Sequence, residues 1–265
     1  MKKLFAILVA VSTIIFISCS DFQKALKSKD YTWKYEMAKK YYEKEDWFRA
    51  EALLSDLLPI FRGTEMAKGM MYMYAYCQYN LGELLVAVHY FKTFSRTWPN
   101  DSLAEEADFM VAKCLFEESP RYNLDQSNTI KAIEALDYFV NRYPTSDKLE
   151  EALGMKKNLQ RRLEKKSFYD SRLYYQLGNY KAAVISFKNT LKDYPESDLR
   201  EEVLYLILRS SYLLAKNSID EIKMERFQDT INEYYAFIDE YPNSKYAKEA
   251  EKIYTNCIKA IKREQ

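Results

Sequence analysis

The sequence predicts an all-α protein, a helical solenoid of about five helix pairs, and three observations carry that prediction. Turn-forming residues are scarce, with 5 Gly and 6 Pro among 265 residues, roughly a third of ordinary usage and too few for the turns of a sheet protein. The prolines fall at or beyond the ends of segments whose apolar residues recur every three or four positions, where helices tolerate them. Four prolines also share one context: Trp98-Pro99, Tyr143-Pro144, Tyr194-Pro195 and Tyr241-Pro242. Their separations are 45, 51 and 47 residues (99 to 144, 144 to 195, 195 to 242), the mark of a repeated supersecondary unit.

The chain opens with an address. Lys2 and Lys3 precede an uncharged apolar run over residues 4–18, and small Ser18 stands before Cys19, the pattern of a secretory signal. The run is shorter than the roughly 20 residues a membrane-spanning helix needs. Residues 1–18 are therefore read as signal peptide. Phe16-Ile17-Ser18-Cys19 resembles the lipobox of bacterial lipoproteins, with Phe16 where Leu is usual. That resemblance implies lipid attachment at Cys19, a lipidated linker over 19–31, and an outer-membrane destination, since Ser20 rather than Asp follows the Cys. The competing reading is an ordinary cleaved signal with an incidental Cys.

The helices follow in order. Residues 32–44 and 47–61 form a first pair, with Ala38 and Tyr41 facing Trp47, Ala50 and Leu54. Residues 65–81 and 83–97 are separated by Gly82, and 102–118 starts at the N-cap candidate Ser102 with Glu105 three residues on, a capping box. A loop over 119–128 leads to 129–142. The stretch 147–177 holds no Pro and only Gly154, so it reads as one long helix, with Asp147 and Glu150 as its box. Residues 179–193 follow Gly178, 198–216 carries the box Asp198 and Glu201, and 219–240 leads to 244–263. Lys245 and Lys248 occupy the box positions of this last helix, so its cap falls to Ser244. Counting from seventeen residues before each proline, a small residue stands at five (Ala87, Ala132, Ala183, Thr230) and a bulky one at nine (Phe91, Leu136, Phe187, Tyr234). Four apart, they share one helix face, the small residue admitting a partner helix and the bulky one filling the space beyond.

These residues resemble the tetratricopeptide pattern, best matched at 82–99 and 178–195, which implies a right-handed solenoid of antiparallel helix pairs. The periods exceed the usual tetratricopeptide length of about 34, and one insertion is distinctive: Glu118-Ser119-Pro120-Arg121-Tyr122-Asn123-Leu124-Asp125-Gln126. Together the lipobox, the five repeats, this loop and the run from Tyr169 through Tyr174, Tyr175, Gly178, Ala183, Leu191 and Asp193 to Pro195 resemble the BamD (YfiO/ComL) family of outer-membrane assembly lipoproteins. The resemblance implies a lipid-anchored periplasmic scaffold in the machinery that assembles outer-membrane β-barrels. Its N-terminal repeats, 32–118, would receive unfolded outer-membrane proteins. Its C-terminal repeats, 129–263, would dock the periplasmic domains of the barrel subunit. The sequence departs from that pattern at Ser186, where a basic residue is expected nine before Pro195.

A client segment ending in an aromatic residue suits a groove lined by rings, and Tyr41, Trp47, Tyr72, Tyr76 and Tyr79 are the candidates. The same rings can equally be inter-helix core. Arg121, Tyr122 and Asp125 are the candidate partner-contact loop, or a turn closed by a local ion pair. Cys77, Cys114 and Cys257 lie within apolar helical patterns and read as core residues rather than a disulfide framework. Forty basic against 39 acidic residues, with signs mixed along the chain, argue against nucleic-acid binding. His89 is the one histidine, and the chain has no nucleophile elbow, phosphate-cradling Gly-rich loop or metal-ligand spacing. The expectation is a non-enzyme without cofactor or metal. The rival function is another anchored repeat protein, a glycan-binding lipoprotein or an envelope adaptor. Trp33, Trp47 and Trp98 are too dispersed for the clustered indoles a glycan groove wants.

Overall fold

Twelve helices and no strands make up residues 21–264, which the computed structural model describes. The signal segment 1–18 and Cys19 lie outside the described residues. The helices are α1 (21–27), α2 (Tyr31–Glu43), α3 (Trp47–Leu57), α4 (Met66–Asn80), α5 (Leu84–Thr97), α6 (Ala104–Glu118), α7 (Ser127–Arg142), α8 (Leu149–Gln176), α9 (Tyr180–Asp193), α10 (Arg200–Lys216), α11 (Asp220–Glu240) and α12 (Ala247–Glu264). The expected helices are present, within about four residues at each end, and α8 is continuous over 28 residues. The stretch 19–31, read as linker, is corrected in part. Residues 21–27 are helical and bury Phe22 and Ala25, with the Phe22 ring edge-on to Tyr41 at 5.9 Å. Two apolar residues three apart are too short a pattern to betray a helix.

Contacts divide the chain into two compact units. One runs to Pro120 and resumes over Asp125–Leu159; the other holds Arg121–Leu124 and the chain from Gln160 onward. The division thus falls within α8 and not at the loop 119–128. In the first unit each helix from α2 to α7 packs on the next, and in the second α9 to α12 do the same. This neighbour-to-neighbour packing of short-linked antiparallel helices is the architecture of a helical solenoid.

The repeated small and bulky positions build the cores. Ala38, Ala50, Ala87, Ala132, Ala183 and Thr230 are fully buried, as are Phe91, Leu136 and Phe187. Tyr234 is half-buried and stacks on Tyr254 at 4.7 Å. In the first unit, one cluster gathers Leu53, Leu54, Leu57, Met70 and Cys77, and a second gathers Phe91, Phe94, Leu136, Phe139 and Leu159. Phe168, Phe187, Leu208, Phe237 and Cys257 centre the core of the second unit.

Two turns recur from copy to copy, the first in three repeats and the second in four. Between first and second helices, Glu45, Gly82 and Gly178 take positive φ of 57°, 83° and 76°. The next amide in each case donates back to a carbonyl five residues earlier, Asp46 to Tyr41, Glu83 to Gln78 and Asn179 to Tyr174, the left-handed helix end that favours glycine. After each second helix, Trp98, Tyr143, Tyr194 and Tyr241 leave the helical region with φ of −126°, −125°, −132° and −129°. The following proline imposes that exit by excluding the helical conformation from the residue before it.

Candidate functional site

The expected capping boxes do not form. The residue two beyond each proline, Asp101, Ser146, Ser197 or Ser244, instead accepts from the amide two further on: Leu103, Lys148, Leu199 and Tyr246, at 2.9 to 3.1 Å. Ser102, Asp147 and Asp198 stand one residue too late for this geometry. Only the expectation for Ser244 holds. The same four side chains also reach back to the first helix of the preceding repeat. Lys68 Nζ pairs with Asp101 Oδ2 at 2.8 Å. The hydroxyls of Ser146, Ser197 and Ser244 donate to Glu105, Glu164 and Glu201. Glu105 and Glu201, assigned by sequence to local boxes, therefore bind 41 and 43 residues away. The recurring polar residue was visible in the sequence, but its partner was not.

A second set of polar contacts ties α4 to α6 and the end of α7 to α6. Tyr76 on α4 donates to Glu106 on α6 at 2.7 Å, and Lys148 pairs with the same carboxylate at 2.7 Å. Tyr79 donates to Glu117 at 2.8 Å and Tyr143 to Asp108 at 2.9 Å. Burial first, and then the Glu117 carboxylate, pushes the Tyr79 phenol up to about 12; burial raises Tyr76 and Tyr143 further. These phenols stay protonated and donate across the whole physiological range.

The candidate groove rings are thereby placed. Tyr41 is buried at 7 % exposure, leaving no face for a ligand. Trp47 is half-buried, edge-on to Tyr42 at 5.3 Å, and Tyr72 packs on Phe94 and Tyr76 at 5.3 and 5.0 Å. Tyr72, Tyr76 and Tyr79 flank one core cluster and Tyr41 and Trp47 another, so inter-helix packing claims most of their surface. In the loop, Tyr122 stacks on Tyr169 at 5.0 Å, Asp125 accepts from the Ser127 amide at 3.0 Å, and the Leu124 amide donates to the Arg121 carbonyl. Ser186, at the position of departure, shares a 2.7 Å hydroxyl contact with Ser171 of α8.

Cys77, Cys114 and Cys257 are buried free thiols, each pushed up to about 12 by burial and so held in the unreactive protonated form. His89 lies exposed on α5, its ring edge-on to Tyr90 at 5.2 Å. What the arrangement offers is surface: stiff stacked helices whose polar seams hold neighbouring repeats in register.

Fold and seams define a helical-repeat scaffold. The chain belongs to the YfiO family of outer membrane lipoproteins, which it matches over residues 27–226. A relative, the outer membrane protein assembly factor BamD of Caulobacter vibrioides, is 24 % identical over 154 residues, covering 58 % of this chain and 50 % of that protein. The match thus spans half the length of that relative. Among solved structures, the TPR2AB domain of yeast Sti1 in its pHSP90 complex is similar at a TM-score of 0.39 and 13 % identity, covering 86 % of this chain and 98 % of that one. The TPR domain of P58(IPK) is similar at 0.40 and 12 % identity, covering 94 % and 68 %.

Proposed function

We propose that the protein is a lipid-anchored periplasmic scaffold of the machinery that assembles β-barrel proteins in the outer membrane. Membership of the outer membrane lipoprotein family over residues 27–226 carries this reading, and the assembly factor that shares 24 % identity supports it. In this reading Cys19 bears the lipid, residues 32–118 receive unfolded barrel clients, and residues 129–263 dock the periplasmic domains of the barrel subunit. Trp47, Tyr72, Tyr76 and Tyr79 contribute the edges they leave uncovered to client binding, while buried Tyr41 supports them from behind. The loop of Arg121, Tyr122 and Asp125 is a partner contact, its conformation supported by the stacking of Tyr122 on Tyr169. The protein binds and positions; it catalyses nothing.

The test is affinity isolation of the mature chain in mild detergent, with mass spectrometry of what stays bound. Recovery of an outer-membrane barrel carrying periplasmic repeat domains is the expected result. Its absence, under conditions that preserve other membrane complexes, would overturn the reading, and oligosaccharide binding in its place would favour a glycan-binding lipoprotein. Growth with a labelled fatty acid should mark the parent chain and leave Cys19→Ala unlabelled.

A further inference from the structure

Grooves recur between consecutive second helices of the repeats, each floored by the first helix that lies between them. One such groove lies among α9, α10 and α11, and its charges are matched: Lys188 pairs with Glu233, and Arg226 donates to Ser218. The groove among α5, α6 and α7, about 510 Å³, differs. Its wall is aliphatic, with Val88, Val111, Leu115 and Ala135, and its rim carries Lys92, Arg96 and Lys131 against the single carboxylate of Glu134. Lys92 stands where Lys188 stands in the other groove, five residues beyond the small alanine (87 to 92, 183 to 188). Among the described residues none of the three cations has an ion-pair partner. Asp108, at the floor, is buried and already engaged, 3.5 Å from Arg142 and accepting from Tyr143. The whole of α5 carries no acidic residue.

We propose that this groove docks an acidic segment of a partner protein, its apolar side chains on the aliphatic wall and its carboxylates against Lys92, Arg96 and Lys131. Charge complementarity selects the occupant: a neutral or basic segment would leave three cations gathered at a half-apolar surface with only Glu134 to offset them. The placement of the cations selects a peptide. Lys92 and Arg96 are four residues apart, one turn along α5, and Lys131 faces them from α7, so the charges are spread along both rims. Spread charges match carboxylates distributed along a chain, whereas a phosphate group needs donors that converge on one point. A groove of this volume is of the size that accepts side chains and small ligands. The site stands apart from the assembly role, because its test uses purified chain and a synthetic peptide and no assembly component.

The probe is a fluorescein-labelled peptide of about 14 residues, with Leu and Phe at three- and four-residue spacing and Glu elsewhere, read by anisotropy against the full mature chain in mild detergent. The expected result is binding that weakens roughly tenfold when every Glu is replaced by Gln, and by a similar factor in the Lys92→Glu/Lys131→Glu double variant. Both substituted residues are exposed and unpaired, so unchanged helical circular dichroism is expected. Lys188→Glu, in the charge-matched groove, should leave the affinity as it was. The proposal is overturned by no binding at about 1 mM peptide, by equal affinity for the Gln peptide, or by a double variant that binds normally. It is equally overturned if phosphatidylglycerol vesicles bind through Lys92 and Lys131 and the acidic peptide does not, which would assign the cations to a lipid surface.

Discussion

Ser146 makes two bonds with one hydroxyl, accepting from the Lys148 amide and donating to Glu105. The first starts a helix and the second joins two repeats, so Ser146→Ala removes both. The expected loss is about 1–2 kcal/mol by urea denaturation, the sum of a cap and a partly buried hydrogen bond. Ser244 and Glu201 form the equivalent link at 2.6 Å. A cycle of Ser244→Ala with Glu201→Gln should show coupling of about 0.5–1.5 kcal/mol; additive effects would mean that the link contributes only its local cap. At the first seam the link is ionic. The bond between Lys68 and Asp101 raises the lysine and lowers the carboxyl relative to their ordinary values. At this scale the sequence told which positions matter and mistook what they touch. Asp101, Ser146, Ser197 and Ser244 recur two residues past each proline, but a partner 33 to 43 residues distant leaves no local pattern.

Three of the helix pairs turn on one residue in left-handed conformation, and here the copies differ in quality. Gly82 and Gly178 take positive φ without a side chain to strain, whereas Glu45 takes φ 57° with one. Replacing Glu45 by Gly should therefore stabilise the first pair by about 0.5–1 kcal/mol, and Gly82→Ala should cost about 1 kcal/mol although the space around its Cβ is open. Thermal denaturation of the two variants against the parent chain checks both signs; a neutral Gly82→Ala would remove the conformational argument. The third and fifth copies avoid this turn. The loop 119–126 replaces it before α7, and α11 begins at Asp220, so that Glu225 lies inside a helix. The prolines and glycines made the element boundaries legible, because both act through the local backbone. Helix α1 escaped notice because its short pattern has meaning only against Tyr41.

Across the whole molecule the buried thiols and phenols set a direction of pH sensitivity. Cys77, Cys114 and Cys257 rise from 9.0 to about 12 on folding. A group raised in the folded state contributes stability that is complete below its unfolded value and is lost as pH climbs toward the folded one. Stability should hold to about pH 8.5 and then fall, losing about 4 kcal/mol by pH 10 from the three thiols together. A chain carrying Cys77→Ala, Cys114→Ala and Cys257→Ala should show a shallower alkaline slope in denaturant titrations at pH 8 and pH 10. An equal slope would mean that the thiols are solvated. Phe139, fully buried between α6 and α7, should cost about 3–5 kcal/mol as Ala by leaving a cavity its neighbours cannot close.

The sequence by itself determined the all-α class, the spans of the helices from α2 to α12, and the small and bulky residues that pack them. Each of these follows from interactions within a few residues, which a linear pattern records. Only the tertiary structure decided that Glu105 and Glu201 bind the next repeat rather than their own helix ends. It also decided that Tyr41 is core and not groove, that the compact units divide within α8 at Leu159, and that Lys92, Arg96 and Lys131 gather unmatched on one groove. Those outcomes depend on which helix faces meet after stacking. Residues tens of positions apart then compete for the same partners, and the winner is set by distance and burial in three dimensions.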